Sequence, residues 1–242
     1  MRSAEKRRKK LIIAILLVIL FGLLTLIAGT LFLGPDLTQG KMNVLVLAAD
    51  KYEQPNGGVD MAFVVHMENG SLVNYTPVYP GGMSHPTKSA PGGLSGKMMF
   101  HDCLWDGTAE GMQNAKEIVE ANTNMTVDAV VIIYDEGLDN IIDSIRPFYV
   151  DGEECNLSAA DIVRENDAYN GYSGNENVTG TMSRGDAVMV LVKALANATK
   201  DPDKKSTMVQ AAMDEYSKGN IIMTPEGAFA KLLATKGFDS IF

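Results

Sequence analysis

The chain has 242 residues, 46% of them hydrophobic, with 30 Asp/Glu against 21 Lys/Arg and a formal net charge of −9. Six of those basic residues and one acid fall within residues 1–10, so the remainder holds 15 basic against 29 acidic residues, a net of −14. Such acidity excludes nucleic acid as an expected partner, because binding it depends on neutralising phosphates with Lys and Arg.

The basic cluster Lys6-Arg7-Arg8-Lys9-Lys10 runs directly into residues 11–33, which carry no charged side chain. At about 1.5 Å per residue this stretch makes a helix of roughly 35 Å, enough to cross a hydrocarbon core of about 30 Å. The positive-inside rule then predicts a cytoplasmic segment 1–10, a single-pass transmembrane helix 11–33 and a chain whose bulk lies outside the cell membrane. The competing reading is a cleaved secretory signal. Its apolar region normally spans only about 7–15 residues, and no small-x-small cleavage site precedes Gly34-Pro35. Residues 34–41 (GPDLTQGK) read as a linker, and 42–242 as an extracytoplasmic domain, long enough for one substantial domain or two small ones.

Residues 42–49 (MNVLVLAA) form a continuous apolar run ending at Asp50, the pattern of a strand buried on both faces. Turn residues fill 51–58; a second strand is predicted over 59–67, a hairpin turn at Glu68-Asn69-Gly70, and a third strand over 71–79. The Pro- and Gly-rich stretch 80–96 reads as a long irregular loop. Helices are expected over 108–121, capped by Thr108, and 136–145, with a buried strand over 127–134 between them. Ser158 opens a short helix to about Val163, and 165–182 reads as a surface loop. Ser183, with Asp186 three residues on, caps a helix to about Ala196. Another helix follows over 204–216, and Thr224-Pro225 is expected to start a final one. The order predicts an α/β domain (α+β being the variant) with a mixed sheet flanked by helices in layers.

Cys103 and Cys155 both fall on the outer side, where one disulfide is chemically permitted. Six Asn-x-Ser/Thr sequons, at Asn69, Asn74, Asn124, Asn156, Asn177 and Asn197, fall there too, as a glycoprotein would require. His66, His85 and His101 are too scattered to suggest a zinc site, and Cys103-x-Trp105 beside His101 reads as packing.

The candidate chemistry lies in Asp50, which ends a strand, and Asp60, which begins one across a Gly-rich turn. Carboxylates converging at one mouth of a sheet suit Mg²⁺, which usually takes one or two carboxylates and shares its other positions with water and phosphate. Lys97, Arg164 and Arg184, arriving from later segments, could clamp phosphate oxygens. On spacing alone, ordinary strand ends and surface cations are the favoured explanation of these residues.

The segment order resembles LytR-CpsA-Psr domains, singly anchored extracytoplasmic proteins of the cell envelope. Residues 43–50 (NVLVLAAD) and 58–65 (GVDMAFVV) resemble that family's opening strands, and 97–107 its Lys-Ile-Asn-Ala-Ala-Tyr segment. Residues 126–145 are similar to its Ile-Asp-His-Tyr-Val strand and following helix. Residues 150–164 resemble its Leu-Asp-Gly-Glu run ending in Arg, and 183–195 its Arg-x-x-Arg-Gln helix. The chain also looks like divergent relatives in archaeal envelopes. The resemblance implies a membrane-anchored transferase acting on a polyprenyl-diphosphate-linked glycan. Asp50 and Asp60 would be its Mg²⁺ ligands, and Lys97, Arg164 and Arg184 its phosphate contacts, with Asp60, Arg164 and Arg184 catalytic.

The chain departs from that pattern where the family carries further arginines. Gly58-Val59 precedes Asp60, Pro80-Gly81-Gly82 replaces Pro-Arg-Asp, Asn166 replaces the second Arg of an Arg-x-Arg pair, and apolar residues around Val188 replace the Gln. Two other readings therefore stand beside a transferase: a non-catalytic domain that binds polyprenyl phosphate or glycan during assembly, and an unrelated tethered interaction module.

Overall fold

The computed structural model describes residues 39–78, 82–168 and 180–228. The basic cluster, the apolar stretch 11–33 and most of the linker lie outside the described residues. So do Asn177 and nearly all of the expected final helix. Among the described residues no helix is long and apolar enough to cross a membrane.

The centre is a five-stranded sheet in the order β3-β2-β1-β6-β9. Its strands are β1 (Lys41–Asp50), β2 (Gly58–Glu68), β3 (Ser71–Val78), β6 (Ala129–Tyr134) and β9 (Ile221–Thr224). The sheet is mixed: β1 runs parallel to β6, and every other pairing is antiparallel. Two ribbons lie outside it, β4 (Ser84–Ser89) with β5 (Lys97–Met99), and β7 (Phe148–Val150) with β8 (Glu153–Cys155).

The unbroken apolar run of β1 is explained by burial on both faces. Leu45, Leu47 and Ala49 pack with Met112, Ala115, Ile118 and Val119 of α1 (Thr108–Thr123). Val44 and Val46 pack with Val209 and Met213 of α5 (Pro202–Lys218). Beside α5, a further cluster joins Ile142 of α2 (Asp135–Ser144), Ile162 of α3 (Ala159–Asn166) and Leu191 of α4 (Arg184–Ala198) to Met61 and Phe63 of β2. The result is a helix–sheet–helix sandwich. Truncating a fully buried Leu such as Leu45 to Ala is expected to cost about 2–5 kcal/mol.

The Asn69-Gly70 turn forms as expected, with φ of 51° and 78° at its two residues. Such a turn needs positive φ at both centres, which Asn and Gly tolerate. Ser158 and Ser183 cap α3 and α4 by accepting from the backbone N–H of Asp161 and Asp186.

Four expectations are corrected. The stretch 80–96 is not wholly irregular, because β4 lies within it and pairs with β5 despite a polar, Pro-containing sequence that carries no strand periodicity. Gly107, with φ of 118°, occupies the cap position of α1, and Thr108 is its first helical residue. Thr224 ends β9 instead of capping a helix; a four-residue strand directly after the C-cap Gly219 is too short to signal itself. The expected loop 165–182 begins late, since Glu165 and Asn166 still belong to α3. Both cysteines are free thiols, Cys103 in the α1-side core and Cys155 against the opposite cluster.

Candidate functional site

Asp60 occupies a break in the sheet. Ala48 pairs with Met61 and Ala49 with Val59, leaving Asp60 as the extra residue of β2 in a β-bulge. A bulge re-aims a side chain that regular alternation would send into the packed face. This one lies where β1 and the parallel β6 both end, the edge of an α/β sheet at which ligands commonly bind.

Three segments converge there. The 51–57 loop carries Glu53 and is held by Asp50 Oδ1, which accepts from Tyr52 N–H (2.9 Å), and by Asn56, which donates to Trp105 O (2.9 Å) and accepts from Tyr134 Oη (3.1 Å). At Gly57, φ is 103° and a Cβ would lie 3.0 Å from the Tyr134 ring, so both conformation and space call for glycine. A short 3₁₀ turn, Phe100–Asp102, is anchored by the buried Phe100 ring and presents His101. Donor atoms of Glu53, Asp60 and His101 all lie within 4.8 Å of one another.

The imidazole is fixed at both nitrogens. Nδ1 lies 3.0 Å from Asp102 Oδ1 and Nε2 lies 3.3 Å from Glu53 Oε2, while Gln54 Nε2 donates to Asp102 Oδ1 at 2.7 Å. Gly58 permits this approach: a Cβ there would meet Glu53 Oε2 at 2.8 Å and His101 Nε2 at 2.9 Å.

Burial pushes the Asp60 carboxyl above the ordinary carboxylate range and the Glu53 charge adds to this, against the pull of His101 and Arg184; the Asp50 charge raises it further. Burial alone would lower the His101 pKa, but the Asp102 hydrogen bond and the Glu53 charge outweigh it, so the imidazolium is favoured. Cys103, next in sequence, is inert: burial pushes its thiol up to about 12.

Of the residues singled out from sequence, Asp60 and Arg184 meet. They line one small cavity with Met61, Phe63, Val78 and Val188, of about 20 Å³. Arg184, the first residue of α4, also donates from Nε to the buried Asp167 at 2.6 Å. Asp50 acts on Asp60 through its charge while its Oδ1 serves the Tyr52 turn. Lys97 and Arg164 are engaged elsewhere. Lys97 Nζ donates to Pro86 O on the exposed β4–β5 ribbon, and Arg164 pairs with Asp161 of its own helix at 3.5 Å on the surface.

Sequence reasoning missed Glu53, His101, Asp102 and Asp167. No spacing motif links them, because they reach the site from a turn, a 3₁₀ segment and the end of α3. The adjacent Gly57-Gly58 pair was the available hint, since paired glycines mark close approach of other groups to the backbone.

The donor chemistry differs from the Mg²⁺ pair expected from Asp50 and Asp60. Mg²⁺ favours oxygen ligands and retained waters, whereas the groups brought together here are two carboxylates and an imidazole.

Residues 39–169 match the model of a family described as a protein of unknown function (DUF4012). No protein with a curated description matches the sequence. Among solved structures, a protein from Streptococcus agalactiae (gbs0355) is 14% identical over 84% of this chain and 74% of its own, with a TM-score of 0.53. A transcriptional regulator from Enterococcus faecalis (EF0465) is 14% identical over 86% and 75%, with a TM-score of 0.52. At this identity the likeness speaks to fold alone. A LytR-Csp2A-Psr enzyme from Actinomyces oris is 16% identical over 82% and 80%, with a TM-score of 0.46. The α/β fold read from the sequence, a mixed sheet flanked by helices, stands.

Proposed function

This chain belongs to the DUF4012 family, and on that premise we propose that it is a LytR-CpsA-Psr-like protein of cell-envelope assembly whose Asp60–Arg184 mouth receives a polyprenyl-linked glycan phosphate. One observation carries the reading: a half-buried carboxylate and a guanidinium share the opening of an apolar slot between β2, β3 and α4. Arg184 would grip phosphate oxygens, for which its planar fork is suited. Met61, Phe63, Val78 and Val188 would meet the first carbons of the lipid. At about 20 Å³ the slot fits a single water-sized group, so a prenyl chain must part α4 from the sheet to enter.

The proposal includes a single-pass anchor over 11–33 with residues 1–10 cytoplasmic and the domain outside the cell membrane. It includes glycosylation at exposed sequons such as Asn74 and Asn156. It also includes a divalent cation at Asp60, Mg²⁺ by resemblance, which would supply charge neutralisation for diphosphate oxygens.

A second reading is favoured by the cation count. Arg184 is the one Lys or Arg among the charges that bear most on Asp60, and phosphoryl transfer ordinarily enlists several. In that reading the domain binds the lipid-linked phosphate during assembly without transferring it. A transfer assay separates the two: full-length chain in detergent, lipid-linked oligosaccharide as donor, Asp60→Ala as control. Product above the control supports the transferase; binding of polyprenyl phosphate without product supports the assembly role; neither result above the control refutes both.

A further inference from the structure

We propose that Glu53, Asp60 and His101 form a mixed carboxylate–imidazole site for a first-row divalent transition ion, of the Mn²⁺ or Zn²⁺ class, in preference to Mg²⁺.

The geometry carries the proposal. Three ligands come from three segments and gather within 4.8 Å. Ligands at about 2.0–2.1 Å from a tetrahedral ion stand roughly 3.3–3.4 Å apart, and His101 Nε2 lies 3.3 Å from Glu53 Oε2. Asp102 occupies Nδ1, which fixes the ring so that Nε2 is the nitrogen facing the other two groups. A carboxylate behind a ligating histidine is the usual outer support of a metal site, because it orients the ring and raises its basicity. Gln54 in turn holds Asp102 at 2.7 Å. Gly58 keeps the space between the donors free of a side chain, since a Cβ would intrude to within 3 Å of both Glu53 and His101.

The choice of ion follows from the donors. Imidazole nitrogen suits Zn²⁺, Fe²⁺ and their neighbours, the two carboxylates also suit Mn²⁺, and Mg²⁺ takes oxygen and gives up its water reluctantly. Three protein ligands leave at least one position open for water or a phosphate oxygen. The inference rests on the reading of the Asp60 mouth as cation-dependent, and it names the class of cation.

The test uses the full-length chain in detergent, stripped with a chelator and titrated calorimetrically with MnCl₂, ZnCl₂ or MgCl₂. One site per chain is expected, with Mn²⁺ or Zn²⁺ bound at least tenfold more tightly than Mg²⁺. His101→Gln should weaken the transition ion about tenfold or more and leave Mg²⁺ unchanged, with Asp102→Asn intermediate. Glu53→Gln, on an exposed turn, is the second variant should His101→Gln fail to fold, and it should weaken the transition ion likewise. Mg²⁺ bound as tightly as Mn²⁺ and Zn²⁺, affinities indifferent to these substitutions, or no binding at all would overturn the proposal. Polyprenyl phosphate binding is measured on the same preparation. Its absence beside an intact metal preference supports the site and sinks the functional reading; its presence with no metal preference sinks the site alone.

Discussion

His101 and Glu53 face each other at 3.3 Å, an imidazole on a 3₁₀ turn against a carboxylate on the loop after β1. Neither element belongs to the central sheet, yet both are pinned to it. Phe100 is buried in the α1-side core, and Asn56 is held between Trp105 O and Tyr134 Oη. The ligand-bearing turns thus borrow rigidity from packing beneath them, as precise placement of a metal-binding group requires.

Gly58→Ala tests this contact sterically. The Gly58 backbone is not in the left-handed region, so alanine brings no conformational strain, but its Cβ would lie under 3 Å from both donor atoms. We expect metal affinity to fall about tenfold, as for other disturbances of a metal site's support, with the far-ultraviolet circular dichroism spectrum unchanged. Calorimetry showing the parent affinity would mean that the donors do not act together.

Asp60→Asn should separate stability from function. Burial raises the Asp60 pKa, so folding favours the protonated form; that stabilisation is fully present below the unfolded value of 3.8 and is lost as pH rises through the higher folded value. At neutral pH the metal-free parent therefore carries a destabilising charge. The asparagine variant should melt a few degrees higher while losing cation binding. A lower melting temperature in the metal-free state would contradict the electrostatic account.

Arg184 and Arg164 should behave differently although the sequence presents them as equals. Arg184 shares the cavity with Asp60, whereas Arg164 pairs with Asp161 on the surface. Arg184→Gln is expected to weaken polyprenyl phosphate binding about tenfold or more, equivalent to roughly 1.4 kcal/mol, and Arg164→Gln to leave it within twofold. Equal losses in a vesicle-binding assay would remove Arg184 from its assigned place.

Glu215 anchors the site loop from the other side of the sheet. Its Oε2 accepts from Asn220 Nδ2 at 2.7 Å, and Asn220 Oδ1 accepts from Lys51 Nζ at 3.0 Å. Burial would raise the Glu215 pKa, but hydrogen bonds from Asn220 and Lys218 outweigh it and hold it below the ordinary range. Its stabilisation is present above the unfolded value of 4.5 and is lost as pH falls through the lower folded value. Glu215→Gln should cost roughly 1.5–3 kcal/mol at pH 7 and flatten the acid limb of the stability profile measured by urea unfolding.

The sheet was largely legible because its cause is local. A strand buried on both faces must be apolar throughout, and 42–49 is; an Asn-Gly hairpin needs two positive φ angles, and Asn69-Gly70 supplies them. The caps at Ser158 and Ser183 were legible for the same reason. The polar strand β4 and the four-residue β9 were not, since their pairing is decided by partners distant in sequence. At the site, Asp60 and Arg184 were within reach of sequence reasoning, but His101 looked isolated because its neighbours arrive through tertiary packing alone. Arg164 and Lys97 show the converse: a matching position in the chain order does not fix the direction of a long flexible side chain.

The unpaired residue in β2 sets two demands against each other. Deleting one residue between Val59 and Met61 would let the two strands zip without interruption, yet it would remove the acid on which the proposed chemistry turns. Selection for heat resistance alone would erase that irregularity, so its loss there and its survival when variants are screened for heat resistance and activity together would report that the acid is needed.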